Sequence, residues 1–218
     1  MKRKLIAAVL ATTALGGIVA VAYAQTLSAA GTVTQVKVAE RADNFRLVDQ
    51  ASKAHELHYY KNSPAIVIVA AQNGSPNIRD AAPALKALKA AYAAKDVPVF
   101  LLNSNAADNR EAIAAEMKTL GLDLPVLVDD TQLIGESLGV SRVGEAFVID
   151  PKTWKIVYHG PIDDRFAGKT AKPNAKVKKA YVSDAISSLV SGEAVKVSTM
   201  ASVGSVKRFA LYLGRTTV

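Results

Sequence analysis

The chain has 218 residues, a net charge of +8 and no cysteine. Without cysteine, every mechanism that needs a thiolate is excluded, whether as nucleophile, redox centre or metal ligand, and stability must come from an ordinary hydrophobic core. The first 24 residues hold three of the 27 basic residues and none of the 19 acidic ones, so the rest carries +5, too mild a charge to point to a polyanionic partner.

In chain order, Lys2, Arg3 and Lys4 precede an uncharged, mostly apolar run from Leu5 to Val21, and Ala22-Tyr23-Ala24 follows. A positive start, an apolar core and small residues at a cleavage site are the order of a secretory signal. The run is short for a membrane span, which needs about 20 apolar residues. Cleavage after Ala24 is expected, with export to a periplasm or beyond the cell and no membrane contact afterwards. About 190 residues then remain, the size of a single domain. We divide the chain into a signal (1–24), an N-terminal extension (25–41), one domain (42–190) and a C-terminal tail (191–218).

Thr32 to Val38 alternates β-branched and polar residues and predicts a strand. Asn44 to Val48, a turn from Asp49 to Lys53, and His55 to Tyr60 predict two more short strands. Ala65 to Ala70 is a continuous apolar run, as in a central strand buried on both faces. After Asn73-Gly74-Ser75-Pro76 a helix is expected to about Ala94, with Ile78, Ala81, Leu85, Leu88 and Tyr92 on one face. Val97 to Leu102 predicts a strand. Asp108 to Leu120 predicts a helix closed by Gly121, and Leu124 to Val128 another strand. Asp130 is expected to cap a short helix from Gln132 to Leu138, ended by Gly139. Ala146 to Ile149 and Lys155 to Tyr158 predict a hairpin around Asp150-Pro151-Lys152-Thr153. A polar loop from Pro161 to Asn174 leads to a last helix from Lys178 to Val190, with Val182, Ile186, Leu189 and Val190 inward. Strands alternating with helices predict an α/β layered fold.

From Ser75 the chain resembles the thioredoxin-like superfamily, in particular exported redoxins of the peroxiredoxin and thiol–disulfide oxidoreductase type. Four segments carry the likeness. They are Asn44-Phe45-Arg46-Leu47-Val48-Asp49, then Ser75-Pro76-Asn77-Ile78 with Pro83 eight residues after Ser75, then Phe147-Val148-Ile149-Asp150-Pro151, and finally His159-Gly160-Pro161-Ile162-Asp163-Asp164-Arg165. The resemblance implies a central mixed sheet flanked by helices, here with a β-rich N-terminal leader, and thiol-dependent oxidoreduction as the family activity. It places the reactive cysteine at Ser75, the second cysteine of a C-x-x-C pattern at Ile78, and a tail cysteine at Ser205, within Val203-Gly204-Ser205-Val206. It places the family's cis-proline near Gly144. All four differ from the family's residues.

A helix N-terminus exposes free N–H groups and about half a positive charge, enough to favour a thiolate but not a serine alkoxide at neutral pH. Serine followed by proline is also a favoured helix start, so capping accounts for Ser75. No G-x-S-x-G elbow is present, and the three histidines (His55, His58, His159) offer no sequence link to Ser75. Asp129-Asp130 and Asp163-Asp164 read as cap and turn rather than metal ligands, and no cofactor or metal is expected. The lysine-rich stretch from Arg165 to Lys179 has few interleaved aromatic residues, so nucleic acid is not expected. Ser75, the amides after it, and Arg79 or Arg142 form a candidate anion site, lined by Asn73, Gly74, Pro76 and Gly144. Three readings remain open. The chain is a redoxin by descent, inactive without its cysteines or a serine-substituted form of an active one; a non-catalytic module for a protein partner or small molecule; or a non-redox enzyme whose turnover Ser75→Ala would remove.

Overall fold

The structure, a computed structural model, describes residues 38–209. The expected signal and, except for Val38, the expected strand from Thr32 lie outside the described residues.

β1 (Arg46–Val48) and β2 (Ala54–Glu56) pair as an antiparallel hairpin. After it come β3 (Ile66–Ala71), α1 (Pro76–Tyr92), β4 (Val99–Asn103), α2 (Arg110–Leu120), β5 (Val126–Val128), α3 (Leu133–Leu138), β6 (Ala146–Ile149), β7 (Ile156–Gly160) and α4 (Tyr181–Ser191). β3 to β7 form one sheet in the order β5-β4-β3-β6-β7. β3, β4 and β5 run parallel, while β6 and β7 are antiparallel additions. This mixed sheet between helices is the thioredoxin-like architecture expected from the sequence.

Its centre follows from residue pattern. All six residues of β3 are buried, because successive side chains alternate between two covered faces. Val67 and Val69 join Leu85 of α1 and Val182 and Ile186 of α4 on one face. Ile66 and Ile68 join Leu57, Leu138 and Phe147 on the other. The predicted face of α1 is buried throughout, from Ile78 to Tyr92. Burying a side chain such as Leu85 contributes about 1.5–3 kcal/mol. Gly121 and Gly139 close α2 and α3 in the left-handed conformation, as expected.

Three local expectations are corrected. His55 to Tyr60 is not one strand, since β2 ends at Glu56 and Leu57–Tyr60 is a 3-10 turn that drops Leu57 into the core. Val190 is not inward but 62% exposed, whereas Leu189 packs against the core. Asp130 does not cap α3. Asp129 does, accepting from the Ile134 and Gly135 amides at 3.3 and 2.8 Å.

The antiparallel pairing of β6 with β3, with Val69 opposite Ala146, positions the site. It sets the loop before β6 beside the end of β3, where the chain turns into α1. Among the described residues, no helix is long and apolar enough to cross a membrane.

Candidate functional site

α1 starts one short loop beyond β3. The Ser75 amide donates to the Gln72 carbonyl at 3.2 Å, and Gly74 takes φ +69°, a turn that favours glycine. Two acids fasten this loop. The Asn73 amide donates to Asp108 Oδ2 at 2.9 Å, and the Gly74 amide donates to both Glu116 carboxylate oxygens at 2.9 Å. Asp108 also accepts from the Asn103 side chain at the end of β4.

Ser75 occupies the N-cap position, with Pro76 following at the first helical position. Its hydroxyl, however, makes no capping bond, and the residue is 7% exposed with Oγ unpartnered. The expected capping role is therefore filled by backbone conformation alone. Ile78 is fully buried in the core beneath α1. Arg79 is exposed.

Across from α1, the Gly144 amide donates to the Ala70 carbonyl at 2.8 Å, and Ala70 N–H donates to the Glu145 carbonyl at 2.8 Å. Gly144 has φ +93°, and no cis peptide occurs among the described residues. Arg142 is engaged rather than free for an anion, its Nη1 donating to the Gly204 carbonyl at 2.8 Å. The tail thus reaches the site. Ser205 donates from its amide to Asn77 Oδ1 at 3.2 Å, and its hydroxyl donates to the same oxygen at 3.4 Å. Asn77 lies two residues after Ser75, so Ser75 and Ser205, two of the positions assigned by resemblance, border the first turn of α1.

Glu145, which the sequence reading missed, organises the facing loop. It is 3% exposed. Its carboxylate accepts from the Ser141 amide at 2.8 Å, the Ser141 hydroxyl at 2.6 Å and the Arg142 amide at 3.0 Å. His159 Nε2 lies 3.4 Å away, outside hydrogen-bond geometry. Burial pushes the Glu145 carboxyl up, but His159 and the Ser141 donors outweigh it and hold the group below the usual carboxylate range. The sole local signal was an acid directly before an apolar strand.

No histidine serves Ser75 as a base. His55 joins Asp49 and Tyr60, each at 2.8 Å. His58 stacks on Trp154 with ring centres 4.0 Å apart, and His159 packs against Phe147. An unpartnered hydroxyl without a base is not an activated nucleophile. Among the described residues, no group of three or more histidines and acids is placed to hold a metal.

Residues 38–160 match the AhpC/TSA family over more than half of the chain. This protein belongs to the AhpC/TSA family. The chain is similar to a solved hypothetical protein from Sinorhizobium meliloti 1021, with 26% identity, a TM-score of 0.69, and coverage of 81% of this chain and 97% of that one. It is also similar to an uncharacterized conserved protein from Geobacillus kaustophilus, with 24% identity, a TM-score of 0.67, and coverage of 81% and 96%. None of the curated proteins matches it. In this AhpC/TSA protein the match begins at residue 38, ahead of β1, and ends with β7. Ser75, Asn77 and Gly144 lie within it, and Ser205 lies beyond.

Proposed function

We propose that this AhpC/TSA-family protein is exported and keeps the redoxin fold without thiol chemistry, as a binding or structural module. The observation that carries this reading is Ser75. It stands where the resemblance puts the reactive cysteine, with a buried hydroxyl that has no partner and no base. A peroxide-reducing thiolate displaces one peroxide oxygen and becomes a sulfenic acid, and a second thiol then condenses with it to a disulfide and water. Serine oxygen can enter neither step. The helix N-terminus that favours a thiolate cannot bring an alcohol near ionisation at neutral pH. Export rests on the positive, apolar and small-residue order of residues 1–24.

The test compares peroxidase and disulfide-reductase turnover of the secreted chain with that of its Ser75→Cys/Ser205→Cys variant. The expected result is no turnover by the parent, whose mass should correspond to a start at Gln25. Activity in the double-cysteine variant alone identifies a silenced redoxin. Inactivity in both shows that more than sulfur has been lost and favours the module reading. Thiol or peroxide turnover by the parent chain overturns the proposal.

A further inference from the structure

The tail does more than approach α1. Met200 N–H donates to the His159 carbonyl at 3.0 Å, and Val203 N–H donates to the Phe166 carbonyl at 2.9 Å. The tail then pairs antiparallel with the loop before β6, through a bridge between Arg142 and Val206. Val143 N–H donates to the Ser205 carbonyl at 3.0 Å, and Lys207 N–H donates to the Ser141 carbonyl at 2.8 Å. Two side chains grip the same stretch, Arg142 on the Gly204 carbonyl and Asn77 on the Ser205 amide. Gly204 passes so close that a Cβ there would collide with the Val143 carbonyl oxygen.

Residues 141–143 lead into β6 outside the named strands, and the bridge and two backbone bonds to the tail make them a short backbone edge that the tail satisfies. Such an edge recruits extended peptide by main-chain bonds, with side-chain contacts setting selectivity. A covalently attached segment holds the edge at high effective concentration, and free peptide competes only when that segment is released.

We propose that residues 141–143, with Asn77 and Arg142, are a docking site for an extended peptide bearing glycine at its closest approach, and that residues 202–207 occupy this site in cis. This goes beyond the function proposed above, since it holds whether or not the chain supports thiol chemistry.

The test uses the full secreted chain and its Gly204→Val variant. The probe is a labelled synthetic peptide of residues 200–209. The added side chain should lift the tail, so amide exchange in residues 141–145 should quicken by at least about tenfold while β3 stays protected. The peptide should bind the variant and not the parent, and a peptide carrying Gly204→Val should bind neither. Should Gly204→Val fail to fold, Asn77→Ala removes the acceptor of Ser205 and should quicken the same amides. Unchanged exchange in the folded variant, or an opened edge that takes up no peptide, overturns the proposal.

Discussion

The hydroxyl of Ser75 is buried at a helix N-cap and caps nothing. Replacing a working serine cap with alanine costs about 1 kcal/mol, whereas leaving a buried hydroxyl unpaired costs about 1–3 kcal/mol by itself. Removal should therefore be free or favourable. We expect Ser75→Ala to unfold in urea within about 0.5 kcal/mol of the parent or above it. A loss of about 1 kcal/mol or more would mean that the hydroxyl has a partner. At this scale resemblance singled out Ser75 and Ser205, because a Ser-Pro helix start and a Val-Gly-Ser-Val tail are local patterns. The link between them was not legible. Asn77 meets Ser205 across 128 residues of chain, and the burial of Glu145 that gives its bonds to Ser141 and Arg142 their weight depends on the packed fold.

At the scale of elements, α3 is too short to hold itself together. An isolated helix of one or two turns is marginal in water, and Gln132 before it is left-handed without a capping bond. Asp129 supplies the anchor. It is fully buried, accepts from Ser104 Oγ at 2.7 Å, and takes the Ile134 and Gly135 amides. We expect Asp129→Ala to cost about 2–3 kcal/mol, from a lost cap and an unpaired buried hydroxyl. Asp130→Ala, at an exposed residue, should change stability by less than about 0.5 kcal/mol. Equal effects in chemical denaturation would remove Asp129 from this role. Adjacent aspartates before an apolar run are indistinguishable by pattern, and burial chooses between them. The long signals survived for the opposite reason: an apolar run such as β3 or the five-residue face of α1 has one way to be buried. Two short signals did not. Leu57 to Tyr60 has strand-forming side chains, yet the Leu57 amide bonds back to the Phe45 carbonyl and the chain tightens into a 3-10 turn. Val190 stands about 100° round the helix from Leu189, which is enough to leave the core.

Over the whole molecule, two buried carboxylates link stability to pH from different places. Asp49 sits in the β1–β2 turn. Burial pushes its carboxyl up, but the bond from His55 and the Lys53 and Ala51 amides outweigh this and hold it below its ordinary value. Glu145, beside α1, is lowered by the balance described above. A carboxyl lowered on folding binds its proton less readily in the native than in the unfolded state. Its stabilisation is therefore fully present above the ordinary carboxylate value and is lost as pH falls through the lowered native value. Stability in urea should be level down to about pH 5 and then fall below about pH 4.5. Glu145→Gln and Asp49→Asn should each flatten part of that fall, whatever they cost at neutral pH. The order of events should also be local. Protonated Glu145 loses its charge-assisted hold on the Ser141 and Arg142 amides, the backbone against which the tail lies. On acidification, amide exchange in residues 141–145 should therefore quicken before exchange in β3. A stability profile level to pH 3, or an acid slope unchanged by Glu145→Gln, would show that this carboxylate does not hold the edge and the tail together.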